Sequence, residues 1–193
     1  MRLRNKTIGL MAVVLSAGFG DRVAVGGVVE YFDSDEWVKA VGEGNFLTVD
    51  FVGFPNGTFI TDQYADLGIL FTDGNDSIAF AGSFINDGVG LDGNGNISVS
   101  FDTPQAWIGV DFPGFLTIEL FSAGKLIHTT EFGSAGVGNF GGLISSKLFD
   151  AAVLVDPLGR DAEIDDLHFG VPAPGSVCLL VLAGLYPRGR RRG

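Results

Sequence analysis

The stretch that decides the fold is Leu116-Thr-Ile-Glu-Leu-Phe-Ser-Ala-Gly-Lys-Leu-Ile-His-Thr-Thr130. Apolar and polar residues alternate from Leu116 to Phe121, which is typical of a strand with one buried face. The dipeptide Ala123-Gly124 interrupts this pattern, and a second strand-like segment runs from Lys125 to Thr130. Because short glycine-containing turns join neighbouring antiparallel strands, the stretch predicts a β-hairpin.

The same kind of segment recurs through the middle of the chain, separated by turn residues at about 8 to 12 positions. Further strands are predicted over residues 46–51, 67–71, 78–84, 97–101, 106–112, 140–144, 151–155 and 164–169. No helical pattern of about ten residues separates them, which argues against a parallel α/β sheet. We therefore expect an all-β domain over residues 28–170, built as an antiparallel β-sandwich or jelly roll.

One short helix is expected near the start of this domain. Ser34 can cap it, and Trp37, Val38 and Val41 supply an apolar stripe at helical spacing. Gly42 and Gly44 are expected to end it.

The N-terminal residues have the layout of a secretory signal peptide. Arg2, Arg4 and Lys6 are cationic, residues 8–15 are apolar, and small residues follow. We assign residues 1–25 to this signal, with cleavage between Ala17 and Gly27; the alternative is an uncleaved N-terminal anchor.

The C-terminal residues 171–193 combine three features in a fixed order. Val171, Pro172, Ala173 and Pro174 form an extended proline motif, the short apolar segment 177–186 follows and predicts a hydrophobic helix, and the chain then becomes cationic. The cationic cluster consists of Arg188, Arg190, Arg191 and Arg192. Arginines resist transfer across a bilayer, and a lone spanning helix needs about 20 apolar residues. This order therefore favours a sorting signal that is removed over a permanent anchor.

This tail resembles the PEP-CTERM sorting signal of bacterial exosortase substrates, in a Pro-Ala-Pro variant with Ala173 where the commoner motif has glutamate. The domain is similar to the β-sandwich ectodomains that precede such signals. That similarity lies in residues 51–58, 60–69, 100–101 with 107–110, and 164–170. The resemblance implies an exported cell-surface or extracellular-matrix protein of the cell envelope. Its partners would be the export machinery and an exosortase-type membrane protease, with transient association with the inner membrane.

Charge and cysteine content narrow the function of the domain. Residues 23–170 hold 22 acidic and four basic residues, which leaves a net charge of −18. Such a domain repels phosphate backbones, so nucleic acid is excluded as a partner. The single cysteine, Cys178, lies in the tail, so the domain offers neither thiol catalysis nor disulfides. Simple solubility and binding of divalent cations are both compatible with this charge.

A structural calcium site is one candidate. On the last strand, Asp165 is expected to face inward with Leu167 and Phe169, while Asp166 faces outward with Ile164 and His168. A buried carboxylate requires a partner or a cation. The oxygen-rich set Asp50, Asn56, Thr58 and Asp165 could hold calcium; the alternative for Asp165 is a hydrogen bond to turn amides.

Glycan binding is the second candidate function, as a calcium-dependent module for extracellular polysaccharide. Exposed rings stack on sugars, and Tyr64 and Trp37 are the candidate platforms. Trp37 also fits a role as the anchor of the helix. Catalysis is not expected, because both histidines fall in strand patterns and no Gly-x-Ser-x-Gly sequence occurs.

Overall fold

The computed structural model describes residues 27–72, 80–82, 89–134 and 138–170. The predicted signal peptide, the sorting signal and the C-terminal hydrophobic helix lie outside these residues. Within them the protein is an all-β sandwich of antiparallel strands with one α-helix, which confirms the predicted fold class.

The described strands and the helix follow one another in the order β1 (Val28–Tyr31), α1 (Ser34–Val41), β2 (Leu47–Val49), β3 (Ile69–Thr72), β4 (Phe80–Gly82), β5 (Gly90–Asp92), β6 (Ile97–Phe112), β7 (Phe115–Ser122), β8 (Lys125–Gly133), β9 (Asn139–Val155), β10 (Glu163–Ile164) and β11 (Leu167–Gly170). A single 3-10 turn, Ala65–Leu67, precedes β3.

The two longest strands, β6 and β9, pair with each other and run through both halves of the main sheet. The first half of β6 lies between β3 and the second half of β9, and β7 and β8 extend that sheet beyond β9. The second half of β6 lies between β11 and the first half of β9, with β2 beyond β11 and β1 beyond β9. A small sheet of β10, β5 and β4 completes the described strands.

Both halves contribute to one hydrophobic core. Inward residues of the first half of β6 have odd numbers, Ile97 and Val99, whereas those of the second half have even numbers, Ile108 and Val110. The register of β6 on β9 shifts around Gln105, and this irregularity changes which alternate residues face inward. The two half-sheets can therefore face each other although the strand is continuous.

Helix α1 covers the outer face of the second half-sheet. Trp37 and Val41 pack there in a second buried cluster with Tyr31, Trp107 and Phe140. The strand backbone approaches the indole closely, because a Cβ placed on Gly142 would lie 2.4 Å from Cδ1 of Trp37. Glycine at position 142 therefore allows the helix to dock.

The predicted hairpin is confirmed, with a two-residue turn at Ala123-Gly124 between β7 and β8. Both turn residues have positive φ angles, 50° and 72°, as a type I′ turn requires. Asp150 supports this turn, because its Oδ2 accepts a hydrogen bond of 2.8 Å from the amide of Ala123.

Several boundaries differ from the sequence-based expectation. Predicted strands 97–101 and 106–112 are one strand, β6, and 140–144 and 151–155 are one strand, β9. The segment 164–169 is divided between β10 and β11, so Ile164 is buried in the main core instead of facing outward with Asp166. Of the predicted strand 78–84, residues 80–82 form β4, and the other residues lie outside the described part.

Two short strands, β1 and β5, were not predicted, because their alternating apolar patterns are too short to recognise. The helix cap was also wrong by one residue. Asp33 is the N-cap, and its Oδ1 accepts a hydrogen bond from the amide of Glu36.

Among the described residues, no helix combines the length and the apolar character needed to cross a bilayer.

Two leucines on β9, one buried and one exposed, test which residues form the core. Leu154 is fully buried between β6 and β7, whereas Leu148 is half exposed. Leu154→Ala should lower the free energy of unfolding by about 2–5 kcal/mol, because it removes buried methyl groups and leaves a cavity. Leu148→Ala should lower it by about 0.5 kcal/mol or less. Urea unfolding measures both changes, and equal losses would contradict the inward assignment of Leu154.

Candidate functional site

Three side chains with metal-ligating chemistry meet on the outer face of the second half-sheet. In the pairing of β11 with β6, Leu167 lies opposite Val110, and the amide of Asp111 donates a hydrogen bond of 3.1 Å to the carbonyl of Asp166. Asp166, the residue before β11, therefore lies beside Asp111, and His168 follows two residues later on β11. One ligand atom from each of Asp111, Asp166 and His168 lies within 4.8 Å of the other two.

The His168 ring is held from several sides. Its Nδ1 lies 2.8 Å from the Thr48 hydroxyl oxygen on β2, a hydrogen-bond distance. Its ring lies within 5.3–6.4 Å, centroid to centroid, of three aromatic rings, those of Phe46, Trp37 and Phe140. These contacts leave Nε2 as the nitrogen that faces the carboxylates, 3.9 Å from Oδ2 of Asp111.

Burial sets the charges of this cluster. It lowers the pKa of His168 to about 4, so the imidazole is neutral at pH 7. Burial, together with the neighbouring Asp166 carboxylate, raises the pKa of Asp111 to about 6. At neutral pH the cluster therefore presents two facing carboxylates and a neutral imidazole, a set that can bind a divalent cation or, in acid, share a proton.

Asp111 also borders a cleft of about 360 Å³ beside the start of α1. Other polar groups of its lining come from Asp33, Ser34, Ser134 and Asn139. Asp111 therefore connects the cluster to a recess with hydrogen-bonding walls.

Of the four residues predicted to bind calcium, Asp165 is buried, whereas Asp50 and Asn56 are exposed. Asp165 is 3% exposed, so it is buried as expected. Asp50 is exposed, and its Oδ1 accepts a hydrogen bond of 3.2 Å from the amide of Val52. Asn56 is exposed, and the Thr58 hydroxyl donates to the carbonyl of Pro55. Asp50 and Thr58 thus bond to the backbone of their own turns, and calcium binding at these residues stays a prediction.

Neither of the two residues predicted to stack on sugars, Trp37 and Tyr64, has a fully exposed ring. Trp37 is fully buried, so it cannot stack on a sugar in this conformation; it anchors α1, as the alternative interpretation held. Tyr64 is half-buried, and its ring lies edge-on to those of Phe51, Phe54 and Phe71. Burial and the charge of Asp50 raise the pKa of Tyr64 to about 12.

The second histidine, His128, belongs to a separate network on the sheet. The Thr130 hydroxyl donates a 2.6 Å hydrogen bond to Oε1 of Glu30, and His128 Nε2 lies 2.6 Å from the same hydroxyl oxygen. Since the hydroxyl has one proton, the Nε2–H of His128 donates to it. His128 is therefore hydrogen-bonded within its own network. A variant at this position can serve as a control for variants that affect His168.

A second acidic group surrounds Asp92. Glu163 lies directly opposite Asp92 in the pairing of β10 with β5. Burial, followed by the charges of Glu163 and Asp161, raises the pKa of Asp92 to about 6. Nearby, Arg160 makes a two-pronged ion pair with Asp156 at 2.6 and 2.8 Å.

Sequence reasoning placed Asp166 and His168 on one face but did not identify them as a site. The Asp-x-His spacing on a strand was a usable signal for two of the three residues. Asp111 could not be added, because nothing in the sequence shows that β6 and β11 are neighbours.

No protein-family model matches the sequence, and a comparison with curated proteins finds no relative. The function of the site is therefore inferred from the chemistry of its residues.

The raised pKa of Asp92 predicts a pH-dependent stability. A raised folded-state pKa contributes stability below the ordinary value of 3.8, and that contribution is lost as pH rises through about 6. Asp92→Asn should therefore raise the free energy of unfolding at pH 8 by about 1 kcal/mol, allowing for solvent screening. The gain should shrink toward zero below pH 4. Urea unfolding across this range tests it, with Asp102→Asn, an exposed aspartate on β6, as control.

A gain that is the same at pH 4 and pH 8 would show that the charge of Asp92 is not its cause.

Proposed function

We propose that this protein is an exported bacterial cell-surface or matrix protein, delivered and processed through its C-terminal residues. The observation that carries the proposal is the order of proline motif, apolar segment and arginine cluster in residues 171–193. That order begins one residue after β11 ends at Gly170. A processing enzyme could therefore remove the tail without cutting a strand of the domain.

The composition of the domain supports the same proposal. Eight of the 12 basic residues lie in the two terminal segments, and the domain between them is strongly acidic. A high net charge keeps a protein soluble and discourages self-association. The core of the sandwich is formed without cysteine, so the fold does not depend on the redox state of its compartment.

The proposed role is non-enzymatic, and its partners are the export machinery and an exosortase-type membrane protease. The membrane is needed during sorting, when the apolar segment enters the bilayer and the arginines stay on the cytoplasmic side. The processed protein then leaves the inner membrane with its acidic sandwich intact.

Expression of the full chain in a bacterium that encodes an exosortase tests this proposal. Mass spectrometry of the envelope and medium fractions should find mature chains that begin between residues 18 and 27 and end before Arg188. Replacing Arg188, Arg190, Arg191 and Arg192 by alanine should abolish C-terminal processing. Lys125→Ala, a change of charge in the exposed hairpin turn, should leave processing unchanged.

Exported chains that all retain residues 188–193 would refute the proposal. So would processing of the four-alanine variant at the wild-type rate, because the cationic cluster would then play no part in recognition.

A further inference from the structure

We propose that Asp111, Asp166 and His168 bind one divalent first-row metal ion, such as Zn²⁺ or Mn²⁺, at the outer face of the β6–β11 pair. This inference is independent of the export proposal, since it concerns the folded domain and not the route by which the domain reaches the surface.

The two carboxylates favour a bound cation. Asp166, the residue before β11, accepts a backbone hydrogen bond from Asp111, and a carboxylate oxygen of each lies within 4.8 Å of the other. Two like charges at this separation repel each other. A divalent cation between the carboxylates converts this repulsion into two favourable contacts. The pair thus has a physical reason to bind a cation that isolated surface carboxylates lack.

The imidazole of His168 is oriented as a metal ligand. A metal-binding histidine usually has its other ring nitrogen fixed by a hydrogen bond. Thr48 does this for Nδ1 of His168, and with Nδ1–H as the donor, the lone pair of Nε2 faces the carboxylates. The ring packing around His168 adds rigidity, so the nitrogen ligand is positioned before any ion arrives.

The distances between the ligand atoms also suit a metal ion. Nε2 of His168 and Oδ2 of Asp111 lie 3.9 Å apart, too far for a direct hydrogen bond. Metal–ligand bonds of about 2.1 Å place neighbouring ligand atoms roughly 3.4 Å apart in a tetrahedral site. Small rotations of the partly exposed Asp111 and Asp166 carboxylates close this difference, while the packed histidine stays in place.

Ligand chemistry selects the kind of ion. A neutral imidazole suits zinc, and carboxylates suit manganese as well, whereas calcium prefers oxygen ligands alone. Three protein ligands leave at least one coordination position open. Because Asp111 borders the cleft beside α1, that position can be taken by water or by an oxygen ligand that enters the cleft.

Cobalt substitution tests the proposal directly. The full chain, without a histidine tag and freed of metal with EDTA, is titrated with Co²⁺. The expected result is visible absorption that saturates at one equivalent and disappears when Zn²⁺ is added. Zn²⁺ or Mn²⁺ should also raise the melting temperature by several degrees more than Ca²⁺ at the same concentration.

Variants identify the ligands. Asp111→Asn and Asp166→Asn should each weaken Co²⁺ binding by about tenfold or more, and Thr48→Val, which removes the support of His168, should weaken it by about tenfold. Both aspartate variants relieve the repulsion between the two carboxylates, and a melting curve of each variant without metal shows that it is folded. Loss of binding then cannot be attributed to unfolding.

Two control variants keep the wild-type affinity if the proposal holds. Asp102→Asn makes the same change on the same strand as Asp111, at an exposed position. His128→Gln removes the other histidine.

Three results would overturn the proposal. One is Co²⁺ absorption that does not saturate, or that shows an intense near-ultraviolet thiolate band and so places the ion at Cys178. Another is binding unchanged by both aspartate substitutions. The third is stabilisation by Ca²⁺ that equals that by Zn²⁺ and is lost in both aspartate variants, because the site would then bind through its oxygen ligands without the imidazole.

Discussion

The antiparallel pairing of β6 with β9 is the interaction on which the rest of the structure depends. Each strand passes from one half-sheet into the other, so the same hydrogen-bonded pair forms the centre of both layers. The register irregularity around Gln105 changes the inward-facing residues from Val99 to Ile108 without ending the strand. Burial of both inner faces in a single core follows from this change, because their apolar side chains then belong to one buried cluster.

The outer face of the second half-sheet depends on the same pairing. Two glycines, Gly109 and Gly142, lie opposite each other on β6 and β9 and give Trp37 room to dock the helix. Beside this aromatic cluster, β11 pairs with the other edge of β6 and brings His168 against the indole. The candidate metal site thus lies between the aromatic cluster, which packs on His168, and the polar cleft, which Asp111 borders.

The fold class was predictable because alternation is a local property, and the β7–β8 hairpin carries its turn signal in two adjacent residues. The continuity of β6 was not predictable, since Thr103, Pro104 and Gln105 are typical of a loop, and of these three Gln105 has a partner on β9, Phe149. The burial of Asp165 was expected from alternation with Leu167 and Phe169, but Asp165 lies before β11 begins, and Ile164 is buried beside it. Predicting the cluster around His168 would have required the order of the strands in the sheet. Strand order is a long-range property that hydrophobic periodicity does not reveal.

Native-state hydrogen exchange on β6 tests most directly the claim that one continuous strand pair holds both layers together. Amides in the two halves of β6, at Val99 and Val110 for example, should exchange with the same free energy of opening, equal to that of global unfolding. Urea should lower both opening energies with the same slope. A half-sheet containing Val110 that opens several kcal/mol more easily than the half containing Val99 would contradict the account, because the layers would then be separate cooperative units joined only by chain continuity.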